Sequence, residues 1–371
     1  MIYLDYQATT PLAPEVRDAM LPWLSDRFGN PHSPHRMGRE AAAAVAYAGD
    51  RLTAALDLPP GRVVFTSGAT EAVNWTIQSA LRHAPRGRRA IVTIATEHAC
   101  VLDTAAAMAA EGYEARVLPV GRDGLVDLDM AAGAIRDDVA LVAAMLVNNE
   151  IGILQPIAAL ADLAHAAGAR FLCDAVQGLG RVAIPPACDF VAVSAHKLHG
   201  PKGVGALWLR EGATLAPLIH GGGQQDGLRS GTLSPALCVG FGAAASLASE
   251  RTTIDARHVE GLWDAAVAAF GDGWTINGAI ERRYRGNLNI RREGLDVARL
   301  MSELRDVAFS AGSACASGSG RPSHVLRALG LSEAAAKSSI RLGFGRYTTE
   351  EQLVEAATRI DAAAARQREW A

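Results

Sequence analysis

The stretch "FVAVSAHKLHGPKGVGALWLR" (residues 190–210) decides the fold. Its opening run, "FVAVSA" (190–195), is β-branched and apolar on both alternating faces, as a strand covered from both sides of a sheet must be. A turn rich in Gly and Pro follows, and "GVGALWLR" (203–210) then reads as a further strand. In open α/β sheets, ligands gather at the carboxyl ends of such strands. Lys197 stands at that place. The chain has only two other lysines, Lys202 and Lys337, and arginine does not deprotonate usefully, so any nucleophilic amine is one of these three. A partly desolvated Lys197 suits Schiff-base chemistry. On its own it reads first as a surface lysine in a loop.

Outward from this stretch, "RVVFT" (62–66), "RAIVTIA" (89–95), "ALVAAMLVN" (140–148) and "RFLCDA" (170–175) continue the series, with helical patterns between them. The alternation predicts an α/β fold: a large domain whose mostly parallel sheet is covered by helices. The pattern changes near residue 250. Two long helical stretches (about 234–250 and 254–270) lead into the strand-like "GNLNIRRE", "VAFSAG" and "SSIRLGFG", which predict a smaller α+β domain. A chain of 371 residues also exceeds the usual size of a single core. The expected division is a large domain over residues 15–250 and a small one over 1–14 and 251–371.

Composition narrows the class of function. Apolar residues make up 49% of the chain, too many for a disordered protein, and a net charge of −3 gives no reason to expect nucleic acid as the main ligand. The basic run "RHAPRGRR" (82–89) contains Pro and Gly and reads as a solvated connection. The five cysteines (Cys100, Cys173, Cys188, Cys238, Cys315) are odd in number and show no CxxC spacing. This argues against a disulfide framework or a zinc site and for a reducing, cytoplasmic setting. No secretory signal or membrane span is expected.

Several residues at predicted strand ends could carry chemistry. Asp174, closing "RFLCD", could pair with a protonated pyridine nitrogen and keep pyridoxal phosphate an electron sink, or could simply cap a helix. "FTSGATEA" (65–72) runs from strand through Gly68 into a helix whose first amides, with the Thr70 hydroxyl, suit a phosphate. Ser194 and His196 could add donors. His98 could stack on a pyridine ring or be structural. Asn149 and Gln177 are neutral donors suited to a phenolic oxygen or a carboxylate. Arg341 could grip a substrate carboxylate bidentately, or lie on a surface strand. Cys315 stands in "SAGSACASGSG" (310–320), whose small residues give little packing. It is either incidental to a linker or a thiol meant to travel.

Taken together, "YLDYQATTP", "FTSGATEA", "TEH", "VNNEIG", "DAVQ", "SAHKLHGPKG", "HGGG…RSGT", "GSACAS" and "SSIRLGFGR" resemble, in order, the cysteine desulfurases of the NifS/IscS type. These are fold-type-I pyridoxal-phosphate enzymes of the class V aminotransferase superfamily. The resemblance implies a homodimer that converts L-cysteine to L-alanine and delivers the sulfur to an acceptor protein, for iron–sulfur clusters, thio-cofactors or tRNA. It implies pyridoxal 5′-phosphate carried by Lys197, stacked under His98, paired at its ring nitrogen with Asp174 and contacted at its phenolic oxygen by Gln177. Ala69, Thr70, Ser194 and His196 would bind its phosphate, with Thr232 of "RSGT" reaching the phosphate of the neighbouring subunit. Asn149 and Arg341 would hold the substrate carboxylate. Cys315 would form the persulfide, in a spacer that resembles the long-loop class with a mobile cysteine loop. A moving residue suits a thiol that must attack in the cleft and then deliver outside it.

Two features depart from the pattern. Gln225 and Asp226 stand in "HGGGQQDGLRSGT" where relatives tend to carry glutamate and often a different side chain. The chain ends at "RQREWA", short of the tail some relatives use to dock a scaffold. Selenocysteine lyase, transaminase and non-catalytic sulfur-transfer scaffold are the rival readings. A transaminase gives Cys315 no role, and a scaffold has no need of Lys197, Asp174, His98 and Cys315 together.

Overall fold

Seven strands line up in the order Gly61–Thr66, Gly205–Arg210, Phe190–Ser194, Arg170–Asp174, Val139–Met145, Ala90–Ile94, Glu114–Leu118. In the computed structural model, which describes residues 1–311 and 322–369, only Gly205–Arg210 runs antiparallel to its neighbours. The segment "GSACASGSGR" (312–321), which carries Cys315, lies outside the described residues.

The continuous apolar runs have a direct cause. Along Val139–Met145, Val142 and Ala144 enter one core while Leu141 and Ala143 enter another on the opposite face. Along Phe190–Ser194, Val191 and Val193 go one way, Phe190 and Ala192 the other. The helices Ala69–Arg82 and Ala99–Ala110 cover one face; Arg36–Leu56, Ile157–Ala166 and the first half of Pro235–Ala269 contribute to the core on the other. Helical crossovers join most successive parallel strands, and a helix-free connection over 175–189 joins Arg170–Asp174 to Phe190–Ser194.

The two helical stretches expected around residue 252 form one helix, Pro235–Ala269. The intervening "ERTTID" holds neither Gly nor Pro, and the cost of two threonines in a helix is only tenths of a kcal/mol each, roughly. Its first half packs Phe241 and Ala244 into the sheet core, and its second half packs Leu262, Trp263 and Ala266 into a separate cluster. That cluster lies with a four-stranded antiparallel sheet, ordered Ser310–Ala311, Ser339–Gly343, Asn287–Arg291, Thr275–Ile276. Ile2 and Leu4 join it from the other end of the chain, where Ile2–Tyr3 pairs in parallel with Val307–Ala308. The N-terminal segment then crosses to the sheet: Thr10 donates to the His196 carbonyl from both its backbone N (2.9 Å) and its Oγ1 (2.9 Å). Among the described residues no helix is long and apolar enough to cross a membrane.

Candidate active site

Six parallel strands end at one edge of the sheet, at Thr66, Ile94, Leu118, Met145, Asp174 and Ser194. The antiparallel strand begins there, at Gly205. A cleft of about 910 Å³ opens over these ends. Of the residues expected from sequence, Ala69, Thr70, His98, Asn149, Asp174, Gln177, Ser194, His196, Lys197 and Arg341 all line it. Thr232 does not; it is exposed, on the segment that precedes the long helix. Cys315 lies outside the described residues.

Lys197 closes a short 3₁₀ turn, Ala195–Lys197, directly after its strand. Its Nζ donates to the carbonyls of Gln7 (2.6 Å) and Ala8 (2.7 Å), so the N-terminal segment sets the height of the amine. Asp174 is 6% exposed, and its Oδ1 accepts the Val176 N–H at 2.9 Å in an Asx turn. It therefore caps a turn rather than a helix. Burial pushes its carboxyl above the usual range, against the pull of His98 and Lys197. His98 begins the helix Ala99–Ala110, its Nδ1 accepting the Cys100 N–H at 3.1 Å. In the neutral ring the proton is thus on Nε2.

The helix Ala69–Arg82 points its first turn into the cleft, where helical geometry leaves the leading amides without internal partners. Close packing puts it there: a Cβ on Gly205 would lie 2.6 Å from the backbone of Gly68. The acid of that first turn, Glu71, is engaged by Arg229 at 2.7 Å, so it does not oppose an anion with a bare charge. His196 is pushed down to about 4, by burial first and then by Lys197 and Lys202, so it is neutral at pH 7. It acts there as a hydrogen-bonding group and not as a cation.

Arg341 is 1% exposed, which removes the surface-strand alternative. It donates to the Asn149 carbonyl (2.9 Å), to Asp5 (2.7 Å) and to Ser310 (3.2 Å). The side-chain amide of Asn149 has no hydrogen-bond partner among the described residues and is left for a ligand.

Sequence reading stopped short of several residues that the fold brings in. Glu97, inside the quoted "TEH", is fully buried and accepts the Met145 N–H at 2.8 Å, next to Asp174 in the sheet register. Burial drives its carboxyl well up, with Asp174 adding to the push. Glu150, inside "VNNEIG", accepts from the Ser323 hydroxyl, and His324 joins the cleft wall. Asp5 and Gln7 sat inside the quoted "YLDYQATTP" but were given no role there. The Gln225 departure has a structural role: its side-chain amide pairs with both backbone groups of Phe65 (2.7 and 2.9 Å) on the free edge of the sheet. Among the described residues Asp226 makes one long, exposed ion pair, with Arg62 at 3.9 Å.

Residues 2–355 match the family described as Aminotransferase class-V. The chain belongs to the class-V aminotransferase family. A curated relative from Rickettsia bellii, named cysteine desulfurase IscS, is 41% identical over 361 residues, which is 95% of this chain and 88% of the relative. A solved structure described as a NifS-like protein superposes with a TM-score of 0.91 at 30% identity, over 98% of this chain and 99% of that one. Another, described as SspA in complex with cysteine, gives 0.84 at 33% identity, over 94% and 100%. Class-V family members work in general with pyridoxal 5′-phosphate. The cleft of this member has the chemistry to fit that group: the Lys197 amine at a strand end, the buried Asp174 carboxylate without a cationic hydrogen-bond partner among the described residues, and a helix N-terminus.

Proposed function

We propose that this chain is a pyridoxal-phosphate-dependent cysteine desulfurase that converts L-cysteine to L-alanine, with Cys315 as first sulfur acceptor. The observation that carries this reading is the convergence of Lys197, Asp174, His98 and the Ala69–Arg82 N-terminus on one cleft at the strand ends. The names of the relatives and the cysteine-bound neighbour support the substrate.

Bound there, the cofactor supplies an electron sink for the pair released at the substrate Cα. Asp174 would place negative charge toward its ring nitrogen, and Gln177 would offer an amide N–H to its phenolic oxygen. The first amides of Ala69–Arg82, Ser194 and neutral His196 would hold its phosphate. Lys197 takes the Cα proton through Nζ. Asn149 and Arg341 orient the carboxylate. The Cys315 thiolate attacks the substrate sulfur: an S–S bond forms, the Cβ–S bond breaks, and the bonding pair stays with carbon, which is protonated to alanine. Sulfur then passes to an acceptor in iron–sulfur, thio-cofactor or tRNA biosynthesis. We take the protein to be a homodimer, in which Thr232 reaches the phosphate of the neighbouring site. We also place a division between residues 15–250 and the remainder, crossed by the Pro235–Ala269 helix.

Incubation with ³⁵S-cysteine tests the reading. Alanine and protein-bound label should form together, one for one, in the first turnover. Release of pyruvate, or alanine formation without labelled protein, would sink it. L-selenocysteine run in parallel distinguishes a selenocysteine lyase, which would leave L-cysteine nearly untouched. Within this reading, Asp174→Ala should lower kcat by about a hundredfold or more while KM changes little, because the carboxylate matters most once charge has moved into the ring. Equal losses in binding and rate would assign Asp174 to cofactor retention instead.

A further inference from the structure

We propose that Arg181 is a positioning residue for the cofactor end of the cleft, orienting the Gln177 amide and the Lys197 backbone with one guanidinium. The proposal rests on the roles given above to Gln177 and Lys197.

Arg181 follows Asp174 by seven residues, after the turn that leaves its strand. Its Nη2 donates to the Lys197 carbonyl at 2.6 Å. Its Nη1 donates to the Gln177 side-chain Oε1 and, at 3.3 Å, to the Gln177 carbonyl. Its face rests on the Tyr284 ring, 5.1 Å from the centroid. Among the described residues no carboxylate lies within ion-pair distance of it, and burial pulls its pKa down from the usual arginine value. A partly buried cation is therefore held without a counter-charge, and its hydrogen bonds all go to two residues of the cleft wall.

The consequence for Gln177 is directional. Oε1 is taken by Arg181, and one N–H of Nε2 goes to the Gln7 carbonyl at 3.0 Å. The second N–H remains as the group Gln177 can offer the cleft, so the amide meets a phenolic oxygen as a donor. Without the guanidinium the amide is free to turn and present Oε1, an acceptor facing an acceptor. The same guanidinium restrains the carbonyl of the residue that would carry the cofactor. Lysine cannot replace it fully, since one ammonium does not span both acceptors as a planar fork does.

The test uses Arg181→Met in the holoenzyme, with Arg181→Lys and Gln177→Ala alongside. The cofactor absorbance is titrated with pH, its release to apoprotein is measured, and borohydride-trapped peptide is mapped. Methionine removes a nearby positive charge and frees the amide. The absorbance midpoint of Arg181→Met should therefore rise by about one pH unit, and cofactor affinity should fall by about tenfold. Arg181→Lys should show a smaller rise. Arg181→Met combined with Gln177→Ala should shift by clearly less than the sum of the two single variants, because the part that acts through the amide is shared. A merely structural role would lower apoprotein thermal stability and leave the midpoint where it was. An unchanged midpoint in either folded Arg181 variant, or full additivity with Gln177→Ala, overturns the proposal. Trapping of the wild-type pyridoxyl group on a lysine other than Lys197 would defeat the underlying reading instead, and is seen separately.

Discussion

Lys197→Ala should abolish covalent cofactor attachment and lower L-cysteine turnover by about 10⁴-fold or more, because in the proposed reaction one side chain would both hold the cofactor and move the Cα proton. Lys202 is the rival, since it lines the same cleft only five residues on. What separates them is their setting. Lys197 ends a 3₁₀ turn at a buried strand, with its Nζ fixed by two backbone carbonyls, whereas Lys202 is exposed in the following loop. Lys202→Ala should therefore cost about tenfold at most, through weaker attraction of anionic groups. Borohydride reduction followed by peptide mapping should place the pyridoxyl group on the Lys197 peptide. Recovery on the Lys202 peptide would reverse the two assignments. Gln7 and Ala8 hold the amine through their carbonyls, and the buried Gln7 side chain fixes that segment by donating to the Gly286 carbonyl at 2.8 Å.

The strand ends were legible in the sequence because burial on both sides writes itself as an uninterrupted apolar run that stops abruptly. The runs ending at Asp174 and Ser194 show this, and both ends face the cleft. Glu114–Leu118 left no such trace: it is an edge strand with Glu114 and Val117 exposed, so its pattern is mixed. Residues whose role comes from distant chain were equally silent. Asp5 is adjacent to Arg341 only because residues 5 and 343 form a bridge between the chain's two ends. Arg341 itself read as a possible surface residue, since nothing local to "SSIRLGFGR" announces that both its neighbours in the sheet are covered. Glu97 and Glu150 sat inside quoted motifs but looked like ordinary exposed acids. Their burial is a property of the strands and of the Ser323 segment packed against them. Arg181 carries no local signal either, because both its acceptors are defined by tertiary packing.

Cys315→Ala should leave cofactor absorbance and cysteine binding in place, abolish protein-bound sulfur and lower alanine formation by about 10³-fold or more. The structure brackets the segment that carries this thiol. On one side, Ser310 pairs with Arg341 in the small sheet and donates to Asp5 at 2.9 Å. On the other, Pro322 and His324 line the cleft and Ser323 is bonded to Glu150. The alternative acceptor is Cys100, which lines the cleft next to Thr70. Its setting disfavours that role: burial and the nearby Asp174 and Glu97 carboxyls push its thiol far up, leaving little thiolate at neutral pH. Cys173 and Cys188 are fully buried together beneath the sheet, and Cys238 is pushed up to about 12 by burial. Cys100→Ala should accordingly keep label transfer from ³⁵S-cysteine within about twofold of wild type, as a packing change beside the cleft would. The decisive comparison is the two variants under identical labelling. Persulfide accumulating at the wild-type rate in Cys315→Ala, and lost in Cys100→Ala, would move the nucleophile to the helix that follows His98. It would also leave Cys315 without a part in the reaction.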